Sequence, residues 1–223
     1  MASQVRRIRK RFRIQRLALV GDRGMLTSAR IREDLEPADL DWISALKSAD
    51  IRKLVRPDRD GRAVLSPESL LDDEVAEILS PDFPGERLMV CLNPRLRDER
   101  RRKRGALLGA CADLLDVIAE RVRRKTLRGV AAINRQIGTV IGKHKMAKHF
   151  DITVTEDTMT YRRREDRIAE DSRLDGIYVI RTSLNAEAIT NNETVAAYKC
   201  LAGVERAFRS IKQGRVRVRP IHV

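Results

Sequence analysis

Residues 177–182, Ile-Tyr-Val-Ile-Arg-Thr, carry the strongest strand signal in the chain, and they open directly after the turn pair Asp175-Gly176. A helical pattern follows after a loop, with Thr190 to Glu193 around its start and the body running from Thr194 to Lys212. A second step of the same kind stands near the N-terminus. Leu17 to Val20 is a short apolar run that reads as a buried strand, Gly21 ends it, and Asp22-Arg23-Gly24 fall in the turn. Thr27 or Ser28 can then cap a helix beginning near Ala29. Strand, acid at the strand's carboxyl end, then helix is one step of an α/β sheet, and in open α/β sheets sites gather at those ends.

On a 3.6-residue helix, Tyr198, Leu201, Glu205, Arg209 and Lys212 share one narrow face. Val204, Phe208 and Ile211 form a separate apolar stripe about a quarter-turn away, expected to anchor the helix to a core. Two readings of Glu205 stand at this point. One is a solvated helix with an Arg/Glu surface pair. The other is a carboxylate ringed by cations, suited to a metal ion held against a phosphate backbone.

Elsewhere, Val5, Ile8 and Phe12 at helical spacing among arginines predict a basic amphipathic helix over 3–13. A second helix from about 36 to 58, containing Trp42 as a core residue, leads to Ile51–Val55. Residues 57–86 read as short elements joined by loops, and Arg87–Leu92 as a strand closed by Asn93-Pro94. A long helical stretch over 95–145 is expected to break at Gly129. Its basic run Arg100–Arg104 reads as a solvated face. Residues 150–155 and 158–162 alternate as a hairpin turning at Glu156-Asp157, and 216–220 as a short strand.

The partner class follows from charge. The chain's 46 Lys+Arg against 32 Asp+Glu leave +14, which favours polyanions, nucleic acid first, through counterion release and steering. A ribosome-associated or membrane-surface protein would share that charge. Aromatics at 4% supply little base stacking, so phosphate contacts should dominate. Cys91, Cys111 and Cys200 are scattered, which fits a reducing cytoplasm and neither a disulfide framework nor a zinc site. His144, His149 and His222 lack metal-ligand spacing with them and read as surface or packing histidines. No apolar run approaches about 18 residues, so no membrane span is expected. The Arg-rich first 21 residues also admit a transit peptide, although they pass directly into a core strand.

Asp22 after one strand and Glu205 on a helix after another can reach one divalent-cation site if the strands are neighbours. Phosphoryl transfer with two metals about 4 Å apart needs such carboxylates. They suit hard Mg²⁺ or Mn²⁺.

Several motifs in order then resemble a known family: VGDRGMLTSARI around Asp22, KMAKHFDITVTED from Lys145, LDGIYVIRTSL from Leu174, and Tyr198, Glu205 and Lys212 at the spacings of a Tyr-x₂-Arg-x₃-Glu-x₆-Lys signature. The resemblance they carry extends over nearly the whole chain. They resemble the DDE transposases of bacterial insertion sequences, in the branch with that signature. The resemblance implies an α/β fold, a partial ribonuclease-H-like core with a large mixed α+β insertion between the second and third acids. Residues 1–50 would begin the core, 51–170 form the insertion, and 171–223 complete the core with the glutamate helix. It implies Asp22 and Glu205 as catalytic and metal-binding acids, and Tyr198, Arg209 and Lys212 as DNA contacts. It further implies Mg²⁺ or Mn²⁺, transposon-end and target DNA, a homodimer or a full-length transposase as partner, and a cytoplasmic, nucleoid-associated setting.

Leu201 occupies the signature arginine position, so that contact would pass to Lys199, Arg206 or Arg209. Residues 1–21 contain no Asp or Glu, where the family carries its first aspartate on an earlier strand. The expectation is a chain truncated at both ends and inactive in cleavage alone. The alternative is a non-catalytic DNA-binding or regulatory remnant.

Overall fold

The computed structural model describes residues 2–14, 16–57, 59–70 and 75–212, without the side chains of Ala2, Ser3, Gln4, Arg6, Ser69, Ile211 and Lys212. The chain divides into two compact units, Met1–Leu92 with Ile177–Val223, and Asn93–Gly176. The first unit begins with α1 (Ala2–Phe12), β1 (Ala18–Val20), α2 (Ser28–Arg30), β2 (Asp41–Ala45), α3 (Ser48–Leu54), β3 (Val75–Ile78) and β4 (Arg87–Leu92). The second holds α4 (Pro94–Arg123), α5 (Val130–His144), β5 (Phe150–Val154), β6 (Met159–Arg163) and α6 (Glu165–Ser172). The chain then returns to the first unit for β7 (Ile177–Thr182) and α7 (Asn191–Lys212).

Five strands make the sheet of the first unit in the order β1-β2-β7-β4-β3. β1 and β2 run parallel, with Leu19 opposite Trp42, and the other pairs are antiparallel. β7 lies at the centre, and its residues from Val179 to Thr182 are buried. Successive strand residues face opposite ways, so Trp42 and Ile43 enter different cores. Trp42 packs with Val5, Leu26, Ile31, Leu35 and Leu40, while Ile43 packs with Met89, Cys91, Ile180 and Val195. β1 is an edge strand with Ala18 exposed and Leu19 and Val20 half-buried, less enclosed than its apolar run suggests.

The expected helix over 36–58 does not form as one element: strand β2 interrupts it, and only the part from Ser48 to Leu54 is α-helical. A short helical stretch continues α2 through a π turn (Ile31–Leu35) and a 3₁₀ turn to Ala38, and Asp39 turns left-handed at φ 50°. Trp42 is buried as expected, but in strand β2, and Ile51 to Leu54 belong to helix α3. The apolar residues from Leu40 to Leu46 satisfy two sheet faces at once. Pairing with β1 and β7 decides in favour of the strand.

In the second unit, Leu108, Cys111, Leu115, Ile118 and Val122 form the buried stripe of α4 and meet Ile133 and Ile137 of α5 with Phe150 and Met159 of the hairpin. Gly129, at φ 85°, separates the two helices, and the β5–β6 hairpin turns between Thr155 and Thr158. Both features match the sequence pattern. The Arg100–Arg104 run is exposed except at its end, where half-buried Arg104 pairs with Asp175. The strand expected over 216–220 lies outside the described residues. Among the described residues, no helix is long and apolar enough to cross a membrane.

α7 corrects a second expectation. Thr194 and Val195 are buried and Ala197, Tyr198 and Leu201 half-buried, whereas every residue from Ala202 to Ser210 is exposed. Val204 and Phe208 are 49% and 60% exposed, so they do not anchor the helix. The sheet supports the opening turns through Val195, Ala197 and Tyr198. Twenty-two residues extend about 33 Å, which carries the later turns away from that support.

Candidate functional site

Asp22 follows the end of β1, where the amide of Gly21 still donates to the carbonyl of Ile43 at 3.1 Å. The chain then turns tightly around the Asp22 side chain. Its Oδ1 accepts from the amides of Gly24 (2.8 Å) and Met25 (2.6 Å), and its own carbonyl accepts from the amide of Leu26 at 2.9 Å. Leu26 plugs the turn from below. A Cβ on Gly21 would stand 2.8 Å from Leu26 Cγ, so only glycine fits there without a shift. Asp22 therefore caps its turn, as an aspartate at this place can. Capping occupies one oxygen and fixes the plane of the carboxylate; Oδ2 has no hydrogen bond among the described residues.

α7 starts with a reciprocal cap. The amide of Thr190 donates to Glu193 Oε2 at 3.0 Å, and the amide of Glu193 donates to Thr190 Oγ1 at 3.3 Å. One turn further, Tyr198 packs half-buried against the cluster that contains Ile43 and Val195. Burial raises the pKa of its phenol above the usual value. The charge of Asp22 adds to the rise, Arg23 opposes it, and Glu205 contributes a further increase. Tyr198 thus lies in the electrostatic field of both acids.

Glu205 and Arg209 are exposed on the same helix, and the surface pair considered between them does not form among the described residues. Leu201, at the signature arginine position, is half-buried; Lys199 and Arg206 are exposed. The side chain of Lys212 lies outside the described residues. No group of three or more His, Cys, Asp or Glu side chains that could hold a metal is found among the described residues. In chemical kind, the open Asp22 oxygen and the exposed Glu205 carboxylate fit a hard divalent cation. His149 is a packing histidine, 2% exposed, with Nε2 2.9 Å from Asp171.

Two arginines of this unit escaped the sequence reading. Arg181 interrupts the apolar run of β7. It forks onto Glu86, stacks 4.8 Å from the Trp42 ring centroid, and donates to Ser28 Oγ at 3.1 Å. Arg87 opens β4 and reaches Glu77, the 184–189 loop and Asn191 at the start of α7. A cation inside or at the edge of a buried strand demands a partner, and that was the available signal.

The family described as Transposase DDE domain matches residues 2–222. No curated protein and no solved structure matches the chain.

Proposed function

The chain belongs to the transposase DDE domain family, and from that premise we propose that it is a DDE-type transposase chain of the bacterial insertion-sequence branch carrying the Tyr-Arg-Glu-Lys signature. The family acts on DNA and generally depends on a divalent metal. The proposal assigns Asp22 and Glu205 as the second and third acids, with Mg²⁺ or Mn²⁺ as the ion they hold. It assigns a ribonuclease-H-like core to 1–92 with 177–223, where β3 and β4 pair into the sheet beside β7, and the insertion to 93–176. Tyr198 supports the reading most directly, because it packs the start of the Glu205 helix against the same cluster that holds Val20 at the end of β1, two residues before Asp22.

When bound, the metals would activate water or a 3′-hydroxyl and stabilise the leaving oxygen. The chain's own residues prepare that chemistry. The turn amides hold Asp22 Oδ1 and leave Oδ2 directed by a fixed carboxylate plane. Tyr198 offers a neutral hydroxyl to a backbone phosphate, and Arg209 and Lys212 supply positive charge beyond Glu205. The net charge of +14 drives DNA association through counterion release.

Asp22 and Glu205 are two acids where the family's chemistry uses three, so this chain alone is assigned DNA binding without strand cleavage. Binding of a matched transposon-end duplex across a salt series, with and without Mg²⁺ or Mn²⁺, tests the assignment. Binding should weaken steeply with salt, with no nicked product from residues 1–223. Absence of salt-dependent binding sinks the transposase reading, and efficient metal-dependent nicking sinks the claim of inactivity. A regulatory role, in a homodimer or beside a full-length transposase, gains support if Glu205→Gln binds DNA as tightly as the parent chain.

A further inference from the structure

We infer that Arg87 is a positioning residue, setting the start of α7 and thereby the placement of Tyr198 and Glu205 against the sheet. The assignment rests on reading α7 as the helix of the third acid. An arginine has five N–H donors in a rigid planar fork, and here all five are used. Nε and Nη2 bind Glu77 Oε1 and Oε2 at 2.8 and 2.9 Å. Nη1 donates to the carbonyls of Leu184 at 3.2 Å and Ile189 at 3.0 Å, and Nη2 donates to Asn191 Oδ1 at 2.6 Å. The side chain is 11% exposed.

The division of these bonds sets the role. Glu77 on β3 anchors the guanidinium to the sheet, and the other three acceptors lie on the connection into α7 or on its first residue. The loop's other hydrogen bonds are local turns around Thr182, Asn185 and Thr190, whereas Arg87 ties the carbonyls of Leu184 and Ile189 to β4 and, through Glu77, to β3. Beyond Asn191 the helix rests on Val195, Ala197 and Tyr198, whose apolar contacts hold it down without fixing its direction. Glu205 stands 14 residues past Asn191, about 21 Å along the axis. A tilt of about 10° at the start would carry Glu205 roughly 4 Å, far outside the ~0.5 Å tolerance of a catalytic constellation.

Lysine cannot replace this fork, because three donors on a point charge reach neither both carbonyls nor both glutamate oxygens in one geometry. Glu77→Gln is the complementary control, since it weakens the anchor while leaving the three bonds to the loop and Asn191.

The test needs no DNA. A spin label on Cys200, the exposed thiol of α7, is read beside the titration of Tyr198 by tyrosine Cζ NMR, with Cys91 and Cys111 buried and unlabelled. Amide exchange in β7 reports whether each variant keeps its fold. In Arg87→Gln and Arg87→Lys the label spectrum should narrow, and the Tyr198 midpoint should fall toward the free-tyrosine value of about 10, with β7 still protected. Glu77→Gln should show smaller changes of both kinds. If Arg87→Gln does not fold, Arg87→Lys supplies the comparison. A folded Arg87 variant with the parent's label spectrum and Tyr198 titration overturns the assignment. Loss of salt-dependent DNA binding in the parent chain would sink the transposase reading while leaving this result intact.

Discussion

Arg104 grips Asp175 with both prongs of its guanidinium, Nη2 to Oδ1 at 2.6 Å and Nη1 to Oδ2 at 2.7 Å. Nη1 also donates to Ser172 Oγ at 2.7 Å. The Asp175 side chain is 3% exposed and that of Arg104 15%, so the pair itself is largely removed from water. Removing one partner strands a buried charge. Arg104→Met should destabilise by about 3–5 kcal/mol in urea denaturation, and the double variant with Asp175→Leu should recover part of the loss.

Gly176 stands next to that pair at φ 78°, where a Cβ would meet the carbonyl oxygen of Asn93 at only 2.6 Å and Arg97 Cβ at 2.8 Å. Gly85 has nearly the same φ, 76°, and open space around it. Gly85→Ala should cost the backbone penalty alone, about 1–2 kcal/mol. Gly176→Ala should cost clearly more, because a backbone atom must also move. Thermal denaturation of the two variants side by side checks the difference.

Tyr161 donates its hydroxyl to Asp116 at 2.6 Å. Burial and that bond push its pKa up to about 12. An unfolded tyrosine ionises near about 10, so between those values the native chain retains a proton that the unfolded chain has lost. Stability therefore falls as pH rises from about 10 toward 12. Denaturation midpoints across pH 9 to 11, compared with Tyr161→Phe, should decline more steeply in the parent chain.

Phe208 is large and apolar yet 60% exposed, whereas Val195 is 4% exposed beneath the same helix. Phe208→Ser should change stability by no more than about 0.5 kcal/mol, while Val195→Ala should cost about 1–3 kcal/mol. Equilibrium unfolding would reverse the orientation described for α7 if those magnitudes were exchanged.

Asp22 separates two roles by substitution. Asp22→Asn keeps the Oδ1 acceptor of the turn and should hold stability within about 0.5 kcal/mol, while Asp22→Ala loses both turn bonds and should cost about 1–2 kcal/mol. Calorimetric melting reads the turn. Mn²⁺ titration followed by electron paramagnetic resonance tests the proposed ligand role: on that reading, Asp22→Asn should bind the ion more weakly than the parent.

Much of the local structure was legible because its signals are short-range. The β7 run, the hairpin turning at Glu156-Asp157, the break at Gly129 and the helix start around Thr190–Glu193 all depend on neighbours within a few residues. The β2 strand was not legible, since Leu40 to Leu46 is apolar enough for a helix until β1 and β7 claim its edges. The Arg104–Asp175 and Arg181–Glu86 pairs were not legible either. Their partners are 71 and 95 residues away; nothing local distinguishes Arg104 from its solvated neighbours, and Arg181, marked by its place inside an apolar strand, gives no local sign of which acid it meets.

For the candidate site, the sequence by itself determined which residues were worth asking about: Asp22 after a strand, and Tyr198 and Glu205 on one helical face. It also determined the family, through motifs that span the chain. Only the tertiary structure decided which side of α7 meets the sheet. Helical periodicity picks the Val204–Phe208 stripe as the anchor, but burial also depends on where along the helix the sheet ends, which periodicity does not carry. The sheet lies under Val195 and Tyr198 and not under Val204 and Phe208. That placement brings Tyr198 into the field of Asp22 and leaves Glu205 in solvent on the exposed length of the helix.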